Sequence, residues 1–288
     1  NHPNHPNHPN HPNHPNHPNH PNHPNHPGRW RAMLTLTVLG CDGSHPGPGG
    51  GSESSARGAG AGAASGYLLR WWPTATSVWI DAGPGTFAGL QRYTEPRRLD
   101  AVVLSHRHHD HCSDLAGFVT AARWLWRWDR APLPVYAADG VREQLGPLDD
   151  DGILDWHLVR DADTAAVGPL RLDFVATDHG PPTVAVRAAV DGRALGYSAD
   201  TGPSWPLSAL GSHLDLVLCE ATYTEQDEGT GLHMSGRQAG AAARAAGARR
   251  LVVTHRWAHV AEAAVVAEAA AHFGAPVTAA AVGRGFSL

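Results

Sequence analysis

The 288-residue sequence has no lysine; all 22 of its basic side chains are arginine. Its formal net charge is −5, so it lacks the basic excess that binds a polyanion by electrostatics alone. Nucleic acid is therefore not the expected partner, although a small phosphate-bearing molecule is compatible with this balance. Cysteine is scarce: Cys41, Cys112 and Cys219 stand far apart, with no Cys-x-x-Cys pair. Three such thiols supply no disulfide framework, and a reducing, cytoplasmic location is expected. No apolar run approaches the ~20 residues that span a bilayer, and no signal peptide is evident, so no membrane partner is expected. The absence of lysine beside abundant alanine, glycine, arginine, tryptophan and proline reads as GC bias in the coding sequence rather than as function.

The first 27 residues are nine copies of Asn-His-Pro. They hold no apolar residue for a core, and proline at every third position forbids a helix. Residues 1–32 are expected to be a low-complexity segment, disordered or polyproline-like, with weak metal gathering by its imidazoles as the functional alternative. The first methionine is Met33, and an apolar pattern starts directly after it, so a natural start near Met33 is expected. Residues 33–288, about 255 in number, suit one domain with a sizeable core.

Short runs rich in β-branched residues alternate with alanine-rich stretches in this region. Strands are predicted at 34–39, 66–71, 77–81, 100–104, 133–137, 153–158, 170–176, 183–190, 193–198, 215–219, 249–254 and 276–280. Helices are predicted at 85–92, 113–127, 138–145, 235–247 and 259–272, the fourth opening on Ser235 as N-cap. Strand hairpins with helices at intervals imply a layered α/β sandwich. Residues 46–66 are Gly-rich and read as a flexible loop, a candidate lid near a site mouth. Trp124, Trp126 and Trp128 fall at spacing two in a helical stretch, so they cannot share one face. At least one is expected in the core, the others at a dimer interface or a base-stacking surface.

The chemistry is concentrated in Ser105-His106-Arg107-His108-His109-Asp110-His111-Cys112, directly after the apolar run Ala101-Val-Val-Leu104. Four potential ligands within six residues at a strand end converge without help from the rest of the chain. Imidazole with one carboxylate suits zinc. His109 is expected to point away. Three later segments place a ligand-type residue where an apolar run ends: Val175-Ala-Thr-Asp178-His179, Tyr197-Ser-Ala-Asp200-Thr-Gly202 and Leu251-Val-Val-Thr254-His255. Taken singly, Asp178 could cap a turn, Asp200-Thr-Gly could be a hairpin turn, and His255 could be a structural histidine.

Their order resembles the metallo-β-lactamase superfamily: H-x-H-x-D-H, a lone His, Asp-Thr-Gly, then Thr-His after a strand. Val78-Trp-Ile-Asp81-Ala-Gly resembles its early Asp-x-Gly element, and the resemblance spans about residues 34 to 286. It implies an α/β fold, the four-layer αββα metallo-β-lactamase sandwich, with metals at one edge. It also implies His106, His108 and His179 on a first metal, Asp110, His111 and His255 on a second, and Asp200 bridging them. Two zinc ions are implied, with manganese or iron(II) as alternatives. Such a pair acidifies a shared water, so hydroxide exists near neutral pH. Asp81 and Asp114 are candidates to orient the histidines.

Leu218-Cys219-Glu220-Ala-Thr222, then Gly231-Leu-His233-Met-Ser235 before an alanine-rich helix, resembles the phosphodiesterase branch. That branch includes tRNA 3′-processing endonucleases and cyclic-nucleotide phosphodiesterases. It implies His233 as general acid and Glu220 as its partner, so Asp110, His233 and Glu220 are the expected catalytic residues. Cys219 stands where the tRNA-processing enzymes have His, and only about twenty residues separate His179 from Asp200, leaving no room for their substrate arm. Leu39-Gly-Cys41-Asp-Gly-Ser44 and Ser65-Gly-Tyr-Leu-Leu69 look closer to actinobacterial cyclic-nucleotide phosphodiesterase-like members. The expected substrate is therefore a small phosphodiester such as a cyclic nucleotide, and the branch suggests a homodimer. The alternatives are an acyl hydrolase (lactonase, thioesterase or β-lactamase-like), a tRNA 3′-processing endonuclease, and, as outsiders, a one-iron dioxygenase or a non-catalytic metal binder. A flavo-diiron enzyme fits less well, because that branch has a carboxylate where His108 stands.

Overall fold

The computed structural model describes residues 32–47, 62–148 and 152–288. The Asn-His-Pro tract and residues 48–61 of the Gly-rich loop lie outside the described residues. Among the described residues the chain forms β1 (Leu34–Gly40), β2 (Gly66–Trp71), β3 (Thr76–Ile80), α1 (Thr86–Leu90), β4 (Ala101–Leu104), α2 (His109–Cys112), α3 (Leu115–Thr120), β5 (Leu133–Ala137), α4 (Val141–Leu145) and β6 (Leu154–Leu158). It continues with β7 (Thr164–Val167), β8 (Leu170–Ala176), β9 (Val184–Val190), β10 (Arg193–Tyr197), β11 (Leu216–Glu220), α5 (Gly236–Ala245), β12 (Leu251–Thr254), α6 (Glu262–Phe273), β13 (Thr278–Ala279) and β14 (Gly285–Ser287).

The strands form two seven-stranded sheets, ordered β14-β1-β2-β3-β4-β5-β6 and β13-β12-β11-β10-β9-β8-β7. Each is half antiparallel and half parallel: β3 to β6 run parallel in the first, β10 to β13 in the second. Side-chain alternation explains the layering. In β11, Leu216 and Leu218 enter a cluster shared with Leu36 and Val102 of the first sheet. Val217 and Cys219 enter a second cluster with Ala239, Ala243, Val265 and Phe273 of α5 and α6. Successive strand residues point to opposite faces, so one strand sees both the facing sheet and the covering helices. The result is the expected α/β fold, a four-layer αββα metallo-β-lactamase sandwich.

Helix α5 begins at a capping box in which Ser235 and Gln238 satisfy each other's backbone N–H. It crosses α6 closely: a methyl group at Gly240 would stand 2.3 Å from the Ala269 carbonyl oxygen, so only glycine fits. The helix predicted over 113–127 forms over 115–125, where α3 runs directly into a π turn at Ala121–Leu125; α2, just before it, is a separate turn. That wider turn separates the tryptophans. Trp124 is 75 % exposed, whereas Trp126 and Trp128 pack against Phe118 at ring distances of 5.6 and 5.7 Å. No helix of the described residues is long and apolar enough to cross a membrane.

Candidate metal centre

The parallel strands of both sheets end on the same side of the sandwich, where connecting loops can converge. His106 and His108 follow β4, and Asp110 and His111 lie in α2. His179 sits in the β8–β9 connection, Asp200 follows β10, and His255 follows β12. The backbone is strained to do this. Asp81 after β3, Ala199 before Asp200, and His255 have φ of 54°, 52° and 58° without being glycine. Each such residue costs on the order of 1–3 kcal/mol and persists only where its surroundings over-determine it.

Donor atoms of His106, His108, His179 and Asp200 all lie within 4.8 Å of one another, as do those of Asp110, His111 and His255. Asp200 faces both groups. Its Oδ2 is 3.5 Å from His106 Nε2 and 3.8 Å from His179 Nε2. Its Oδ1 is 3.3 Å from His111 Nε2 and 3.4 Å from His255 Nε2. Asp110 Oδ2 stands 3.3 Å from His255 Nε2 and 3.6 Å from His111 Nε2. All seven residues expected as ligands are thus brought together. His109 points away, within 3.0 Å of Gln144 on the exposed surface.

Hydrogen bonding assigns the imidazole protons. His111 Nδ1–H donates to Asp81 Oδ2 at 2.7 Å. His179 Nδ1–H donates to the Leu232 carbonyl at 3.2 Å. The Ser105 hydroxyl gives its one proton to Asp81, so His106 Nδ1–H is the donor in the 3.1 Å contact with Ser105 Oγ. By the same logic the Thr222 hydroxyl donates to Glu220 Oε2 at 2.8 Å and accepts from His255 Nδ1–H at 3.1 Å. Four imidazoles therefore turn Nε2 inward, and His108 turns its Nδ1 to within 3.0 Å of His106 Nε2. Fixing the outer nitrogen in this way sets tautomer and ring orientation for a metal ligand.

Burial pushes the His106, His108 and His179 imidazoles below their usual range, with neighbouring histidines adding to the effect. Burial also opposes charge on Asp110 and Asp200, but His111 and His255 outweigh it and both carboxyls titrate below the usual range. For His111 burial is outweighed by Asp200, Asp81 and Asp110, which hold it well above the ordinary imidazole value. His111 Nε2 and Asp200 Oδ1 are both buried without a hydrogen-bond partner. Ionised carboxylates and imidazole nitrogens that converge on one small volume suit a cation held among them. The donor set, imidazole plus carboxylate, fits a divalent transition metal.

Asp81 anchors the whole arrangement. Fully buried, it accepts from Ser105 N, Ser105 Oγ, His111 Nδ1 and Tyr197 OH at 2.6–2.8 Å. Asp114, the other candidate for that work, caps α1 instead, accepting from Phe87 N at 2.8 Å. Asp81→Asn places an N–H donor against the His111 Nδ1–H and is expected to weaken metal binding by roughly 10–100-fold. Competition with a chelator measures this; an unchanged affinity would contradict the anchoring role.

A third group adjoins the centre: a ring nitrogen of His233 lies within 4.8 Å of donor atoms of Asp200 and His255. His233 Nδ1–H donates to Glu220 Oε1 at 3.1 Å. Glu220 ends β11 fully buried and also accepts from Thr201 N, Thr222 Oγ1 and Met234 N. Burial opposes charge on His233, but the Glu220 bond and its charge outweigh it and raise the imidazole to about 9. Sequence reasoning missed three contributors: Tyr197, Thr222, and the Ser44 N–H that donates to Asp110 Oδ2 at 2.7 Å. The run Gly40-Cys-Asp-Gly-Ser44 was the available signal for the last, since a Gly-rich turn after a strand brings backbone N–H groups close.

Comparison with known proteins agrees with this geometry. Residues 76–256 match the Beta-lactamase superfamily domain. An uncharacterised protein of Mycobacterium tuberculosis is 34 % identical over 85 % of this chain and 88 % of its own. The probable metallo-hydrolase YhfI of Bacillus subtilis is 28 % identical over 77 % of this chain and 86 % of its own. The crystal structure of YhfI, a metallo-β-lactamase fold protein, superposes with a TM-score of 0.78 and 26 % identity, covering 89 % of this chain and 100 % of that one. A ribonuclease Z of Kineococcus radiotolerans is 29 % identical over 66 % of this chain and 77 % of its own. The chain belongs to the beta-lactamase superfamily and is a metal-dependent hydrolase of the metallo-β-lactamase fold.

Proposed function

We propose that the protein is a two-zinc phosphodiesterase acting on a small phosphodiester such as a cyclic nucleotide. In this reading His106, His108 and His179 would hold one ion, Asp110, His111 and His255 would hold the other, and Asp200, whose two oxygens face both groups, would serve both. The bound ions would supply Lewis-acid polarisation of the phosphoryl oxygens and an activated water. The observation that carries the reading is the His233–Glu220 pair, whose ring stands 5.3 Å from that of His255 and 5.1 Å from that of His179. Glu220 holds the ring through Nδ1 and keeps its proton on near neutral pH. The other nitrogen is then placed to protonate the oxygen that leaves phosphorus. An alkoxide leaving group needs that proton, and a positioned imidazolium can give it. Hydrolysis of an activated acyl ester has no comparable use for it.

Similarity to a protein named ribonuclease Z supports phosphodiester chemistry. A small substrate is supported by the connection from His179 to Asp200, which β9 and β10 occupy as a plain hairpin. The three free cysteines support a reducing compartment such as the cytoplasm. The test is hydrolysis of bis(p-nitrophenyl) phosphate by zinc-loaded protein, with Asp110→Ala as the blank. Activity that disappears in the blank supports the proposal. Two bound metals with no turnover above the blank would move the assignment to acyl esters.

A further inference from the structure

His233 is held by the Glu220 hydrogen bond and by the rings packed around it. Glu220 Oε1 takes its Nδ1–H at 3.1 Å. A single bond fixes one atom of a ring and leaves the ring free to turn about it. Two of the surrounding rings, His255 and His179, belong to the metal centre. Two others do not: Tyr223 stands 6.1 Å from His233 at 88° between planes, and Trp257 stands 6.5 Å away at 69°. They also meet each other, 5.5 Å apart at 76°. Such edge-to-face pairs are an arrangement that ring quadrupoles favour. Trp257 is itself fixed. It lies two residues past His255, and its backbone N–H donates to the Thr222 carbonyl at 3.2 Å. A methyl group at Gly43 would stand 3.0 Å from Trp257 Cδ1 and 3.1 Å from His255 Cε1, so the turn after β1 closes on both rings. The indole is half-buried, and among the described residues its buried Nε1 has no hydrogen-bond partner. Trp257 is therefore a ring held for its shape.

We propose that Trp257 is a positioning residue for the general acid, a reading that rests on the phosphodiesterase assignment above. Glu220 sets where the His233 ring is anchored, and Trp257 sets which way the ring faces, so that its free nitrogen meets the leaving oxygen. Proton transfer needs both, because a misplacement of about 1 Å can cost roughly 10²-fold in rate. The unpartnered indole N–H adds a specific consequence. Phenylalanine should do the same work, since removing a buried donor that has no partner loses no hydrogen bond.

The test compares uridine 2′,3′-cyclic phosphate, whose leaving oxygen is an alkoxide, with bis(p-nitrophenyl) phosphate, whose phenolate leaves without a proton. Trp257→Ala is expected to lower kcat on the first by about ten-fold or more with KM little changed, and kcat on the second by less than about three-fold. Trp257→Phe should restore most of the loss. The ratio of the two activities in one preparation does not depend on the folded fraction, so partial unfolding cannot mimic the result. Equal losses on both substrates, or a Trp257→Phe variant as impaired as Trp257→Ala, overturn the positioning role. A crystal structure of zinc-loaded Trp257→Ala separates this idea from the assignment it rests on. A His233 ring turned or spread over several orientations, with Glu220 and the metal ligands in place, supports the role even where neither diester is hydrolysed. An unmoved His233 ring overturns it, while turnover of either diester by the native protein leaves the phosphodiesterase standing.

Discussion

Asp200→Asn is expected to lower phosphodiester hydrolysis by roughly a thousand-fold, the equivalent of about 4 kcal/mol in the barrier. The substitution is nearly isosteric and leaves the turn after β10 intact. What it removes is the charge that faces both halves of the centre, with Oδ2 toward His106 and His179 and Oδ1 toward His111 and His255. Asp200 is 2 % exposed, so solvent does not replace that charge. A neutral amide also presents an N–H to at least one bare imidazole nitrogen, which disfavours a cation there. Steady-state kinetics at saturating zinc, with circular dichroism to confirm the fold, measures the effect. A loss below ten-fold would mean that the two halves work without a shared carboxylate, and Asp200 would then not be the bridge.

His233→Ala should give the second largest effect, and its size should depend on the leaving group. With uridine 2′,3′-cyclic phosphate, whose leaving oxygen is an alkoxide, the expected loss is about 10²–10⁴-fold, the usual contribution of a general acid. With bis(p-nitrophenyl) phosphate the departing phenolate is stable without a proton, and the loss should be far smaller. The contrast follows from the geometry: Glu220 binds one nitrogen of the ring at 3.1 Å, and the ring stacks on His255 at 28° between planes. Parallel losses on both substrates would instead assign His233 to substrate positioning or to metal binding.

The site was more legible in the sequence than the fold that supports it. Ligand residues announce themselves because imidazole and carboxylate at strand ends are unusual company for apolar runs, as at Leu104-Ser-His106 and Thr254-His255. Their supports do not. Tyr197 looks like one more strand aromatic, yet its hydroxyl reaches Asp81 across 116 positions of sequence. Thr222 looks like a loop residue, yet it passes the Glu220 contact on to His255. Such roles exist only once the two sheets have packed.

The strands that were missed have the same explanation. β7 is Thr-Ala-Ala-Val, too small and too uniform to alternate, and it is fixed by pairing with β8. β14 is Gly-Phe-Ser, three residues whose strand identity comes from β1, some 250 positions earlier. The helix predicted over 113–127 changes pitch after Thr120: the π turn leaves Trp124 and Leu125 exposed, while Trp126 and Trp128 pack against Phe118. Helical periodicity alone contains no signal for that extra residue in the turn.

The most direct test of a shared two-metal centre is anomalous diffraction at the zinc edge from crystals of the zinc-loaded protein. Position-resolved scattering separates ions at the centre from any gathered by the nine N-terminal histidines. Two peaks about 3.5–4 Å apart are expected, one among His106, His108 and His179, the other among Asp110, His111 and His255, with Asp200 between them. A single peak, or two that leave Asp200 without contact to either, would contradict the shared centre.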